Sequence, residues 1–110
     1  MLPRSQRLSV AEFNAVMKDG GSVHSPLFLL RVRRAESRGV SAVVPQKIVR
    51  TATGRNRLRR KMYEAIQPIF SSISADAHAV LFAKAPAIEA EHDVILKGVH
   101  EIFVKAGILK

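Results

Sequence analysis

The residues of this sequence with the clearest chemical capacity are cations clustered in residues 46–61. That stretch holds no acidic residue and seven basic ones: Lys47, Arg50, Arg55, Arg57, Arg59, Arg60 and Lys61. Like charges on one helix repel each other, so a merely solvated basic face is the weaker interpretation, and a polyphosphate partner would relieve the repulsion. Arginine predominates, and its planar guanidinium chelates phosphate oxygens and stacks on unpaired bases. The cluster therefore predicts binding to structured RNA.

No second group of residues forms a recognisable catalytic or metal-binding pattern. The absence of cysteine excludes disulfides, thiolate nucleophiles and cysteine-ligated zinc. The four histidines are scattered along the chain, and Glu89, Glu91 and Asp93 are expected on the solvated face of a helix. Zinc-finger ligands, a leucine zipper and an evident helix-turn-helix are missing too, so DNA is a weaker candidate partner than RNA. A self-sufficient nuclease is not expected.

The positive charge is concentrated in the first part of the chain. The first 61 residues contain 14 of the 18 basic residues and 3 of the 9 acidic ones, a net charge of +11, whereas the remainder carries −2. Such a one-sided field attracts a polyanion, with nucleic acid favoured over an anionic membrane surface. The N-terminus lacks the apolar core of a signal peptide, and no apolar run approaches the roughly 18 residues that span a bilayer. We therefore expect a cytoplasmic protein.

The elements that precede the cluster are a helix and two strands. The 110 residues suit a single domain with one modest core. A capping box formed by Ser9 and Glu12 predicts a helix over residues 10–18. Alternating apolar residues predict strands over residues 27–34 and 40–44, and the polar turn between them predicts an antiparallel hairpin.

The cationic cluster falls on a second helix, which Thr51 or Thr53 can cap. Its buried face is predicted from apolar residues at spacings of three and four: Leu58, Met62, Ala65, Ile66 and Ile69. The opposite side and its flanks carry the polar residues Asn56, Arg57, Arg59, Arg60 and Lys61. An apolar run over residues 76–84 predicts a central strand, and residues 88–106 predict a packing helix. The predicted order is α, β, β, α, β, α.

The cluster also contains a hexamer that resembles the RNR motif of the bacterial ribonuclease P protein component: Arg55-Asn56-Arg57-Leu58-Arg59-Arg60. The likeness extends to the N-terminal pattern of that family, in Leu2-Pro3-Arg4-Ser5, Arg7-Leu8, Glu12-Phe13, Val16 and Pro26-Leu27-Phe28. Lys47 resembles the lysine that the family carries between the second strand and the basic helix. The resemblance covers roughly residues 2–105.

The resemblance implies an α+β fold, a single-domain αββαβα sandwich similar to the second domain of ribosomal protein S5. It also implies a left-handed βαβ crossover, against the general right-handed rule. Members of the family are the accessory protein subunit of a ribonucleoprotein endonuclease that matures the 5′ end of tRNA. The RNA subunit carries out the hydrolysis, and the protein binds that catalytic RNA and the 5′ leader of precursor tRNA. Mg²⁺ would be held mainly by the RNA partner, with none bound by the protein alone.

The resemblance assigns residues to two sites. The predicted RNA-binding residues are Arg55, Asn56, Arg57, Arg59, Arg60, Lys61, Lys47 and Arg50. The predicted leader cleft comprises Phe13, Met17, Phe28, Leu30 and Arg31, with Lys47 as a further candidate. Three residues depart from the family pattern: Met17 where an aromatic is usual, Gln46 in a less basic segment, and Tyr63 where another arginine often follows the motif. Packing of the first helix onto the core is an alternative role for Phe13.

A ribosomal or RNA-assembly protein is the alternative function. Such a protein would share the basic helix but would have neither a leader cleft nor an enzymatic role. The RNA that co-purifies with the protein would distinguish the two.

Overall fold

The computed structural model describes residues 2–109, which form a single α+β domain. Helices and strands follow one another in the order α1 (Val10–Asp19), β1 (Gly21–His24), β2 (Phe28–Arg34), β3 (Gly39–Val43), α2 (Ala52–Ile66), β4 (Ala77–Ala83) and α3 (His92–Lys105). Short 3-10 helices lie at Arg4–Gln6, Gln67–Ser72 and Ala85–Ala87. None of the helices within residues 2–109 combines the length and the apolar character that a membrane span requires.

Helix α1 begins at the capping box that the sequence predicts. The Ser9 hydroxyl accepts a hydrogen bond from the Glu12 amide (3.2 Å), and the Glu12 carboxylate accepts one from the Ser9 amide (2.7 Å). The hydrogen bond from the Ser9 amide is the largest cause that holds the pKa of Glu12 below its ordinary value. The helix stops before Gly20, where a Cβ would lie 2.4 Å from the carbonyl oxygen of Val16. Local chemistry therefore fixes both ends of α1.

The four strands form one sheet in the order β1-β2-β4-β3. Strand β2 pairs antiparallel with β1 and β4, whereas β3 runs parallel to β4. Strand β4 is therefore central, as its continuous apolar run predicts, and β3, α2 and β4 form a βαβ unit. The predicted order of elements lacks β1, because four residues with mostly exposed side chains carry no clear alternation.

The hairpin predicted between the strands at residues 27–34 and 40–44, which correspond to β2 and β3, is wrong. Strands β2 and β3 lie on either side of β4 and are not neighbours in the sheet. Residues 35–38 carry the chain past the end of β4, where the Ala35 amide donates to the Asp76 carbonyl (2.7 Å). Two strand spacings amount to about 10 Å, a distance that four residues span easily. A short polar turn therefore does not by itself specify a hairpin.

The two faces of the sheet are covered by different helices. Helices α2 and α3 pack together over one face, and the largest fully buried side chains of that core include Phe28, Leu30, Met62, Ile66, Leu81, Ile95, Ile102 and Phe103. Helix α1 packs against β2 and β4 on the opposite face, where Val16 and Val80 are fully buried. The sheet is thus the middle layer of a sandwich, in agreement with the α+β class that the family resemblance implies.

The last helix is shorter than its predicted span of residues 88–106. The chain after β4 first forms the 3-10 helix Ala85–Ala87, which contains Pro86, and α3 begins only at His92. Ile88 has the spacing of the helical stripe but lies in this connection, and 40% of its surface is exposed. Gly98 is explained by packing, because a Cβ there would lie 3.2 Å from the Phe28 ring.

Candidate nucleic-acid interface

Helix α2 presents the predicted cations because its opposite side is anchored in the core. Thr51, rather than Thr53, caps the helix by accepting a hydrogen bond from the Gly54 amide (3.1 Å). Four of the five residues of the predicted stripe are buried on α2: Leu58, Met62, Ala65 and Ile66. The fifth, Ile69, lies beyond the helix in the 3-10 helix Gln67–Ser72.

The side of α2 that faces away from the core is polar and largely cationic. Asn56, Arg57 and Arg60 are exposed, and Arg59 and Lys61 are half-buried on the two flanks, as the helical spacing predicts. Lys47 and Arg50 are exposed in the loop that leads into the helix. We call these seven residues the cationic surface.

None of the described acidic groups forms an ion pair with the cationic surface. Within residues 2–109 Arg33 pairs with Asp19 and Arg34 pairs with Asp76, and Glu12 lies 3.8 Å from the ring of His78, which carries a charge only when protonated. All three lie outside α2. Glu64, the acidic residue of α2, is exposed and forms no ion pair with these cations within the described part of the protein. The remaining excess of positive charge on the helix favours binding of a polyanion.

Arg55 has a structural task that the charge pattern does not reveal. Its Nη1 donates hydrogen bonds to the carbonyl oxygens of Val49 (3.0 Å) and Arg50 (2.8 Å). These bonds tie the first turn of α2 to the loop that carries Lys47. We therefore assign Arg55 the additional role of holding the loop part of the cationic surface in place.

Two further hydrogen bonds order side chains of α2. The Arg59 guanidinium donates to the side-chain oxygen of Asn56, one turn earlier, so the two act as a unit. The Tyr63 hydroxyl accepts a hydrogen bond from the Ala42 amide (3.0 Å) and joins α2 to β3. Tyr63 is only 4% exposed. A charged side chain in this buried position would be costly, whereas the Tyr63 ring packs in the core and its hydroxyl is satisfied.

A second candidate surface lies where α1 leaves the sheet uncovered. Leu29, Phe82 and Val43 are cross-strand neighbours on β2, β4 and β3, and each is half-buried. Because alternate residues of a strand share a face, these three lie on the face that α1 covers, opposite the core of α2 and α3. We call them the open row.

Helix α1 is held over the other end of the same face. Asp19 pairs with Arg33 (3.7 Å) and Glu12 lies 3.8 Å from the ring nitrogen of His78. Arg33 and His78 are themselves cross-strand partners, two rows away from the open row. Phe13 and Met17, four residues apart, share one flank of α1, on the side away from Glu12 and Asp19. From this spacing we infer that this flank of α1 is the one turned toward the open row.

The structure corrects two predicted cleft residues. Phe28 and Leu30 have no exposed surface and belong to the core beneath α3 and α2. Each alternates along β2 with a residue of the opposite face, so neither can share a cleft with Arg31. Leu29 is the cleft-facing residue of this segment. The sequence contained this information, because Phe28 and Leu30 are an odd number of residues from Arg31.

Arg31 lies on the face of the sheet that carries the open row, but hydrogen bonds within the protein occupy its guanidinium group. Its Nη2 donates to the carbonyl oxygens of Met17 (2.9 Å) and Gly20 (2.8 Å), and its Nη1 donates to the Ser22 hydroxyl (3.0 Å). These bonds satisfy carbonyl groups at the end of α1 that the helix itself cannot satisfy. Phe13 is half-buried and Met17 is 38% exposed, so both remain candidates for contact with a ligand.

A cavity of about 370 Å³ continues the open row toward the cationic surface. Its lining combines an apolar floor with two lysines and consists of Leu29, Pro45, Lys47, Ile48, Phe82, Ala83, Lys84 and Ala85. Lys84 is held at this rim by a hydrogen bond from its Nζ to the Ser25 carbonyl (2.9 Å). Lys47 belongs to both surfaces. The sequence analysis did not identify Phe82 and Lys84 as site residues. They come to lie beside β2 only because β4 pairs with it, and the sequence pattern does not reveal that strand order.

The described residues offer no group of three or more histidine, aspartate or glutamate side chains placed to hold a metal ion. The one buried histidine is His78, whose Nε2 lies 2.9 Å from the Ser37 hydroxyl. This pair lies on the far side of α1 from the open row. The residues of the two surfaces themselves supply positive charge and area for stacking.

Comparisons with proteins of known sequence agree with one another. A family model described as Ribonuclease P matches residues 2–107. A relative from Rippkaea orientalis, named Ribonuclease P protein component, is 28% identical over 116 residues that cover 98% of this chain and 91% of the relative. A Synechocystis protein of the same name is 28% identical over 112 residues, covering 98% and 90%.

Solved structures share the fold. An RNase P protein from Staphylococcus aureus superposes with a TM-score of 0.82 at 20% identity and covers 96% of this chain and 98% of that one. An RNase P protein from Thermotoga maritima gives a TM-score of 0.79 at 19% identity, with 90% and 96% covered. At these identities the likeness establishes the fold alone.

Proposed function

The chain belongs to the bacterial ribonuclease P protein family and is a subunit of that tRNA-processing endoribonuclease, and we propose that it binds two RNAs through two surfaces. The cationic surface binds the catalytic RNA subunit. The open row and its adjoining cavity bind the 5′ leader of precursor tRNA. The RNA subunit carries out the hydrolysis, and the protein positions the substrate and neutralises charge.

The uncompensated charge of α2 is the observation that carries the first part of this proposal. Its outward cations lie within two turns of one helix, and none forms an ion pair within residues 2–109. Arg57, Arg60 and Lys61 can each meet a phosphate, while the paired Asn56 and Arg59 present a planar hydrogen-bonding unit. A folded RNA supplies phosphates at this density.

The leader is assigned to the open row because a single strand has unpaired bases and an unshielded backbone. Surfaces that bind single strands combine aromatic side chains for stacking with cations that follow the phosphates. Phe82 supplies a ring on the sheet, Phe13 faces the row from α1, and Lys47 and Lys84 lie at the rim of the cavity. Phe28 and Leu30 support this floor from the opposite face of the sheet.

Hydrolysis is assigned to the RNA because the two surfaces carry cations and apolar groups rather than an acid–base pair or a set of carboxylates. Mg²⁺ would then be coordinated mainly by RNA phosphates, which are hard oxygen ligands of the kind that this ion prefers. The protein would contribute by lowering the repulsion between the substrate and the catalytic RNA. The partners under this proposal are RNA alone, with neither DNA nor membrane.

Reconstitution tests the proposal. The purified protein is incubated with precursor tRNA and Mg²⁺, with and without the ribonuclease P RNA from the same organism. We expect correct 5′ cleavage only when the RNA is present, and the Arg57→Ala/Arg60→Ala variant should need more protein to reach the same rate. Lys97→Ala, which removes an exposed cation from α3, is the matched control. Cleavage at the correct site by RNA-free protein would refute the assignment of hydrolysis to the RNA.

A further inference from the structure

A small notch lies beside the cationic surface, between α2 and the connection from β4 to α3. Its volume is about 150 Å³ and its lining is Val49, Gly54, Arg57, Leu58, Lys61 and Ile88. The four residues from α2 have the spacing of a single helical face, so the notch runs along about two turns of the helix. It is separate from the cavity at the open row, with which it shares no lining residue.

The walls of the notch are built by close packing. Val49 approaches the first turn of α2 so closely that a Cβ on Gly54 would lie 2.8 Å from its Cγ1 atom. Leu58 is buried and closes the floor. Ile88 forms the opposite wall and remains 40% exposed, although it is a large apolar side chain next to a strongly basic surface. Ile88 therefore offers apolar surface directly beside the cations of α2.

The rim of the notch is cationic. Arg57 and Lys61 lie one turn apart on α2, and within residues 2–109 neither forms an ion pair. The notch is thus apolar at its floor and positively charged at its edge. A nucleotide within a strand has the complementary arrangement, because its flat base carries little charge and its sugar is linked to a phosphate on either side.

We propose that the notch holds one unpaired nucleotide of the ribonuclease P RNA, with its base between Val49 and Ile88 and its phosphates on Arg57 and Lys61. The inference rests on the proposed function and adds a contact to a base to the contacts with phosphates. At about 150 Å³ the notch is smaller than the sites of about 300–1,000 Å³ that hold drug-sized ligands, so it suits a single base rather than a larger ligand. The uncompensated cations alongside favour a polyanion over an acidic peptide that inserts one apolar side chain.

Ile88→Ser tests the notch, and Val104→Ser is the matched control because Val104 is 42% exposed on α3 and does not line the notch. Affinities for the ribonuclease P RNA are measured over a range of salt concentrations. We expect Ile88→Ser to weaken binding about five- to tenfold through lost apolar contact, with the salt dependence unchanged. Arg57→Ala should instead reduce the slope of log affinity against log salt by about 0.7 to 0.9.

Chemical probing of the RNA locates the nucleotide. One unpaired base should be protected in the complex with the wild-type protein and with Val104→Ser, and should become reactive with Ile88→Ser. Equal affinity and equal protection for Ile88→Ser and Val104→Ser would overturn the notch proposal. The proposal would also be overturned if Ile88→Ser kept full RNA binding but lost binding to a protein partner. If Arg57→Ala and Arg60→Ala also leave RNA affinity unchanged, the proposed function itself fails. Melting curves of each variant exclude unfolding as the cause.

Discussion

The cationic surface and the open row differ in how the chain assembles them. Apart from its two loop residues, the cationic surface comes from five positions of a single helix, and one helical period sorts its cations from its core residues. The open row takes one residue from each of three strands, and these become neighbours only through the strand order β2-β4-β3. A surface that lies on one helix can be predicted from the spacing of its residues in the sequence. A surface that spans several strands also depends on which strands pair, and residue spacing does not specify that pairing.

The largest effect expected from this comparison concerns Phe28, which the family resemblance placed in the cleft and the structure places in the core. Phe28→Ala should lower the free energy of unfolding by about 3 to 5 kcal/mol, because it leaves a cavity against α3. Chemical denaturation measures this loss. A variant that unfolded normally but no longer distinguished leader-bearing precursor from mature tRNA would return Phe28 to the cleft.

That correction shows how far the sequence could predict the fold and the site. The capping box of α1 and the two faces of α2 were predicted correctly, since each depends on residues within a few positions of one another. The β2–β3 hairpin was wrong because β4, more than thirty residues later in the chain, inserts between the two strands. Phe82 and Lys84 could not be assigned to a cleft without that insertion.

Arg60 tests the cationic surface with the next largest effect. Arg60→Ala should weaken binding to the ribonuclease P RNA by about 1 to 3 kcal/mol, because it removes a charge-assisted contact, and should leave the melting temperature unchanged. Titrations at several salt concentrations provide the measurement, with Lys97→Ala as the control. A loss of the same size in the control would mean that net charge, rather than position on α2, determines the affinity.

Phe82 tests the open row on a similar scale. Phe82→Ala should weaken binding of leader-bearing precursor by about 1 to 3 kcal/mol if a leader base stacks on its ring. Affinity for mature tRNA, measured with the same reconstituted complex, should not change. Phe13→Ala extends the test to α1. An unchanged ratio of the two affinities, together with a lower melting temperature, would assign Phe13 to packing alone.

The smallest effect concerns the capping box that fixes the start of α1. The folded-state pKa of Glu12 is lowered, so its ionised carboxylate contributes stability that is present above the unfolded pKa, about 4.3, and is lost as pH falls through the folded value. Glu12→Gln keeps a capping side chain but removes this titration. The variant should therefore lose less stability than wild type as pH falls below about 4.3, by less than about 1 kcal/mol because the side chain is 40% exposed. Thermal melts at pH 7 and at about pH 3 measure the difference.

The central claim is that two surfaces of one small domain bind two different RNAs, and a double-mutant cycle with Arg60→Ala and Phe82→Ala tests it most directly. Affinities for the ribonuclease P RNA and for leader-bearing and mature tRNA are measured for each variant and for the pair. We predict that Arg60→Ala changes only the first affinity, that Phe82→Ala changes only the preference for the leader, and that the two effects add to within about 0.5 kcal/mol. Equal changes of all affinities by either variant, or a larger coupling, would contradict the division of the molecule into two binding surfaces.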